Sequence, residues 1–173
     1  HPIIKRMVET GYEQLRPFGK PTPPPKDEHQ HKIEVPVQLE DKSRITNLGY
    51  LDFVYQGKHT IVDLKTSSRA PSGWNLSHGI QAAVYKESMR AKTGGENWEV
   101  KFLYVLTRQK DPFVWLTMDD PHYYMKVFKR TVNTMDRLLR VSEDKNEIKK
   151  FIVHDPDTFY WNDALGVAEE VFG

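Results

Sequence analysis

Asp52, Asp63 and Lys65 are two carboxylates and an amine close together in the chain, the residue types that handle a cation and a phosphate. Hard divalent ions such as Mg²⁺ and Mn²⁺ take carboxylate, carbonyl and water oxygens. Asp52 and Asp63, with the backbone carbonyl of Leu64, can hold such an ion. Lys65 beside it can orient or deprotonate a bound water, or offset negative charge growing on a phosphate. The same residues also admit a plainer arrangement, with Asp63 and Lys65 as a neighbouring ion pair on a solvated sheet face and Asp52 in a turn. The setting weighs against it: Ile61-Val62 and Leu64 around Asp63 read as a buried strand, where unpaired charges are rare.

The elements that must position these groups follow from the pattern around them. Tyr50 to Tyr55 and Lys58 to Thr66 read as the arms of a β-hairpin turning at Gln56-Gly57. Strand alternation puts Asp63 and Lys65 on one face and turns Leu64 the other way, with Asp52 on the partner arm beside them. Thr66 to Gly73 is a loop whose Thr66, Ser67 and Arg69 suit phosphate contacts, or serve as an ordinary strand-to-helix connector. Asn75 to Lys92 has helical spacing and ends at Gly94-Gly95, and Gln81 and Tyr85, four apart, share one of its faces.

Gly49-x-x-Asp52, then Asp63-x-Lys65-Thr66-Ser67, then Gln81-x-x-x-Tyr85 resembles the PD-(D/E)XK nuclease superfamily, and within it the RecB-like exonuclease branch. The wording of residues 48–67 is also similar to the mitochondrial genome maintenance exonuclease and to phage exonucleases. The resemblance covers residues 45–90. It implies a divalent-metal-dependent DNA exonuclease acting in recombination, repair or replication, with Mg²⁺ or Mn²⁺ as cofactor and linear DNA, single- or double-stranded, as partner. Asp52, Asp63 and Lys65 would be catalytic. Gln81 and Tyr85 would face the hairpin and support the lysine or the DNA backbone. Relatives carry a metal-associated His on an early helix and a Glu on the element before Gly-x-x-Asp, which nominates His1 and Glu34 as further ligands. An endonuclease of the same fold (restriction-type or junction-resolving) and a DNA-binding module that does not cut are the alternatives. The compartment implied is intracellular: bacterial or phage-infected cytoplasm, or the mitochondrial matrix.

The remaining chain reads as one domain over residues 1–173. Pro2 to Leu15 has an amphipathic helical stripe, and the prolines between Arg16 and Gln30 mark an extended connector. Lys32 to Glu40 alternates as a half-buried strand, with Pro36 at an edge. A strand from about Arg44 to Tyr55 follows. Trp98 to Thr107 and Pro112 to Met118 form a second hairpin, and a C-terminal helical extension begins near Asp119, with a long helix from His122 to Val141. Its Lys126, Lys129, Arg130 and Arg137 make a basic side. Phe159-Tyr160-Trp161 and a short helix over Ala164 to Val171 close the sequence. The sum is an α/β domain with a central mixed β-sheet flanked by helices. A net charge of +1 gives no overall basic signature, so a nucleic-acid surface must be local. The chain has no cysteine, which excludes disulfides, thiolate zinc and an iron–sulfur cluster. No apolar run is long enough to cross a membrane as a helix.

Overall fold

The computed structural model describes residues 1–108 and 110–151. The aromatic run at 159–161 and the helix expected over 164–171 lie outside the described residues. The elements in order are helix α1 (Pro2–Leu15), a 3₁₀ turn (Arg16–Phe18), strands β1 (His31–Gln38), β2 (Arg44–Leu51) and β3 (Phe53–Tyr55), a second 3₁₀ turn (Gln56–Lys58), β4 (Thr60–Ser67), α2 (Leu76–Lys92), β5 (Glu99–Leu106), β6 (Phe113–Thr117), α3 (His122–Leu139) and α4 (Lys145–Lys149).

The central sheet is mixed, in the order β3-β4-β5-β6. β4 pairs antiparallel with β3 and parallel with β5, and β5 pairs antiparallel with β6. A parallel neighbour demands a long crossover, and α2 supplies it. That helix starts where the Asn75 side chain accepts the His78 N–H at 2.8 Å. It stops at Gly94 and Gly95, both with positive φ, where the Gly95 N–H donates to the Arg90 carbonyl at 2.8 Å in a Schellman-type end.

The sheet is buried on both sides. On one, Ile61, Val100, Phe102 and Leu106 pack with Ala82, Tyr85 and Met89 of α2 and with the inner face of β1. On the other, Val62, Leu103 and Val105 pack with Met7, Leu15 and Phe18 from α1 and its 3₁₀ extension. α3 lies against α2. A Cβ on Gly79 would sit 2.1 Å from the Tyr124 ring, so the helices approach closely only because residue 79 has no side chain.

Two expectations about the hairpin need correction. The strand expected from Arg44 to Tyr55 is broken at Asp52, because its two halves pair with different partners. β2 belongs to a separate two-stranded ribbon with β1, ending at the pair His31↔Leu51, whereas β3 begins its pairing with β4 at Phe53↔Val62. The turn at Gln56-Gly57 is a 3₁₀ turn, and the left-handed residue closing it is His59 (φ 46°), not Gly57. The Pro-rich connector is extended but firmly placed. Thr22 donates its N–H to Val54 (2.7 Å), and its hydroxyl accepts the Gln56 N–H (3.1 Å). Its carbonyl contacts His31 Nε2 at 2.9 Å. The connector thereby runs along the outer edge of β3.

Candidate active site

β4 carries Asp63 and Lys65 toward α2, and alternation sends Leu64 and Thr66 toward α1. Asp63 is only 2% exposed. The Lys65 ammonium lies 2.8 Å from Asp63 Oδ2 and donates to Gln81 Oε1 at 3.0 Å. It also sits 5.0 Å from the centre of the Phe102 ring, a cation–π contact. Gln81 Nε2 donates to the Tyr85 hydroxyl (2.7 Å) and to Asp63 Oδ1 (3.3 Å), and the Tyr85 hydroxyl donates to the Tyr50 carbonyl (2.7 Å). One amide thus ties the lysine, the acid and the phenol together, and the phenol ties α2 to β2. Gly49 leaves room for this: a Cβ there would meet Ile33 at 3.1 Å and the Tyr85 ring at 3.4 Å.

Asp52 sits at the break between the two sheets. Its Oδ2 accepts the Leu64 N–H at 3.0 Å, and its Oδ1 accepts from Gln30 Nε2 at 2.7 Å. The last β3–β4 pair is Phe53↔Val62, so the Leu64 amide lies beyond the reach of β3 and the carboxylate stands in for the missing strand. In a strand the N–H and C=O of one residue point to the same side, so the Leu64 carbonyl faces the same open edge as Asp52.

The electrostatics favour added positive charge. Burial pushes the Asp63 carboxyl up to about 6; Lys65 opposes that rise and the charge of Asp52 adds to it. Asp63 Oδ2 is shut from solvent and pairs with the Lys65 ammonium at 2.8 Å. An ionised carboxylate has about four acceptor positions, so beside that ammonium and Gln81 the Asp63 carboxylate keeps lone pairs that suit coordination to a cation. Mg²⁺ commonly uses one or two carboxylates and keeps several waters, so Asp52, Asp63 and the Leu64 carbonyl fit such an ion. Among the described residues no third His, Cys, Asp or Glu joins them.

Burial raises the phenols of Tyr85 and Tyr104 to about 12, so both stay protonated donors at neutral pH. Tyr104, the β5 register partner of Lys65, lies 2.6 Å from His78 Nδ1. Burial and the nearby Lys65 charge push His78 below the ordinary imidazole value.

Of the residues nominated from sequence, the structure brings together Asp52, Asp63, Lys65, Gln81 and Tyr85, with Leu64 supplying backbone. Ser67 follows Lys65 on the same face and is bonded to Arg69 backbone (2.8 and 3.2 Å), and the Arg69 side chain is exposed. Thr66 is corrected: it lines the α1 groove with Leu64, Phe53 and Val105, on the far side of the sheet. Glu34 is corrected too. It is on the outer face of β1, paired with Lys32 at 3.0 Å. His1 is the exposed start of α1, the helix on the opposite face from Asp63 and Lys65, and joins no ligand cluster among the described residues. The basic side of α3 lines a separate concavity of about 500 Å³ with Glu40, containing none of the acid–lysine cluster. Three residues of the cluster's wall escaped sequence reasoning: Gln30, His78 and Tyr104. His78 had a signal, since positions 78, 81 and 85 fall on one helix face. Gln30 had none without the strand register.

The model of the PD-(D/E)XK nuclease superfamily matches residues 7–165. Nucleases of that superfamily generally use divalent metal ions. Among solved structures, a candidate exonuclease from Eubacterium rectale is similar at a TM-score of 0.52 and 17% identity, over 94% of this chain and 60% of its own. The structure of SSO0001 is similar at a TM-score of 0.49 and 12% identity, over 73% of this chain and 55% of its own. The chain therefore spans less than two thirds of either protein. No curated protein sequence matches.

Proposed function

The chain belongs to the PD-(D/E)XK nuclease superfamily, and from that membership we propose that it hydrolyses phosphodiester bonds in DNA with a divalent metal ion, as an exonuclease of the RecB-like branch serving recombination, repair or replication. The observation that carries the reading is the meeting of Asp52, Asp63 and Lys65 at the open edge of β4, with Asp63 buried at 2% exposure and the Lys65 ammonium 2.8 Å from its Oδ2.

Asp52 and Asp63, with the Leu64 carbonyl, would hold Mg²⁺ or Mn²⁺. Such an ion polarises a phosphate and lowers the pKa of attacking water. Lys65 places a positive charge beside the reacting phosphate, where it stabilises the charge of the transition state. Gln81 fixes that lysine by accepting from it, and Tyr85 fixes Gln81. Ser67, the last residue of β4, and Arg69 in the loop after it would take a neighbouring phosphate. The exonuclease choice is supported by the three ordered motifs and by the shared fold with a candidate exonuclease.

The test is digestion of end-labelled linear DNA beside closed circles, with Mg²⁺, Mn²⁺ or EDTA. The original chain should degrade linear DNA with either metal, spare circles, and stop in EDTA, and Asp63→Ala should be inactive. Cleavage of circles would move the assignment to an endonuclease, and undiminished cleavage by Asp63→Ala would reject the site.

A further inference from the structure

Asp52 is where two strand registers meet. The β1–β2 ladder ends at His31↔Leu51, so its next position sets Gln30 opposite Asp52. The β3–β4 ladder begins at Phe53↔Val62, so its next position sets Asp63 opposite Asp52 from the other side. Backbone pairing alone therefore places Gln30 beside this acid, and the side chains complete the contact at 2.7 Å.

We infer that Gln30 is a positioning residue of the candidate metal site, acting through the Asp52 carboxylate, so that the connector before β1 is part of the site and not a spacer. This rests on the metal-dependent reading above. Each Asp52 oxygen receives one protein donor, Gln30 on Oδ1 and the Leu64 amide on Oδ2. Two donors on opposite oxygens fix the rotation of the carboxylate. An ionised carboxylate has about four acceptor positions, so lone pairs remain for a cation. The donor's chemistry matters as well. A lysine at position 30 would neutralise Asp52 and compete with the ion, whereas an amide orients the carboxylate and leaves its charge available. The residues flanking Gln30 are tied down. Glu28 accepts the Lys32 N–H at 3.2 Å, and His31 Nε2 contacts the Thr22 carbonyl. Gln30 is exposed, so its replacement leaves the core untouched.

The measurement is Mn²⁺ binding by calorimetry, without DNA, for the original chain, Gln30→Ala, Gln30→Glu, Asp52→Ala and Asp63→Ala. Outer-shell partners of metal ligands typically change affinity about 10–100-fold. Gln30→Ala should therefore bind about tenfold more weakly, with its metal-free melting temperature unchanged. Gln30→Glu cannot donate to Asp52 but sets a third carboxylate against it, so it should bind more tightly than Gln30→Ala through charge alone. If Gln30→Ala binds within about twofold of the original while Asp52→Ala loses binding, Gln30 has no positioning role and the metal site stands. If the original chain binds no Mn²⁺, or Asp52→Ala and Asp63→Ala bind as the original does, the metal site fails and this inference with it.

Discussion

Replacing Asp63 by Asn should make the metal-free protein more stable at neutral pH, an unusual outcome for a change at a buried polar residue. Burial holds the Asp63 carboxyl at about 6 in the folded chain, against 3.8 for the free group. A carboxyl whose folded pKa is raised binds more protons folded than unfolded between those values, so stability falls as pH climbs through that window. The difference of about two pKa units, at about 1.36 kcal/mol each, amounts to about 3 kcal/mol lost above pH 6 and recovered near pH 4. Asn resembles the protonated acid and avoids that loss. It can still accept from Gln81, and Lys65, 24% exposed, keeps part of its hydration without a partner. For a chain of this length about 3 kcal/mol corresponds to a rise of about 6–12 °C in melting temperature. Thermal melts of both proteins in EDTA from pH 4 to 8 measure it, and taking the difference cancels the titrating groups that Asp63 does not touch. The gap should be small at pH 4 and full by pH 7.5. Saturating Mn²⁺ should then raise the melting temperature of the original and leave Asp63→Asn unmoved, because ligand binding stabilises only the form that binds. An Asp63→Asn variant no more stable than the original at pH 7.5 in EDTA would refute the account of Asp63 as a carboxylate held against its own solvation.

Lys65→Met should abolish cleavage while binding Mn²⁺ at least as tightly as the original, since it removes a competing cation 2.8 Å from Asp63 Oδ2; parallel calorimetry and digestion separate the two effects. Tyr85→Phe removes the hydroxyl that joins Gln81 to the Tyr50 carbonyl and should cost about 1–3 kcal/mol in urea melts, the usual penalty for leaving buried polar groups unpaired. Gly79→Ala drives a methyl to within 2.1 Å of the Tyr124 ring and should cost about 1–3 kcal/mol through overpacking, against the small gain expected for Ala in a helix; a Gly79→Ala variant as stable as the original would show that α3 moves freely away.

Local chemistry made most of the architecture legible. The Asn75 cap and the Gly94-Gly95 stop bound α2 within a residue or so, and the alternation of Ile33, Val35 and Val37 gave the inner face of β1, with Leu39 buried just past its end. The shared face of Asp63 and Lys65 and that of Gln81 and Tyr85 followed from the periods 2 and 3.6. Thr66 was readable by the same rule and was misassigned: position 66 has the parity of Leu64, and both face α1. Other features were not readable because they are properties of pairing. Nothing at Tyr50-Leu51-Asp52-Phe53 marks a break, with no glycine or proline among them, and the strand divides only because its halves have different neighbours. Gln30 and Tyr104 enter the site through register, as partners of Asp52 and Lys65, and register depends on the whole sheet.

The break at Asp52 also explains why a site forms here. Had β2 continued into β3 along β4, the Leu64 N–H and carbonyl would have been used in a ladder and the edge closed. Because β2 turns away to pair with β1, β4 is left with an unpaired edge beyond Val62. Such an edge needs an acceptor for its amide, and a carboxylate supplies one while leaving lone pairs and charge in place. Asn at position 52 would satisfy the amide equally well but would bring no charge, so folding alone does not require an acid there. An acid at the corner, a second at 2% exposure across from it, and a single lysine between two negative charges form a set whose charge a cation would complete.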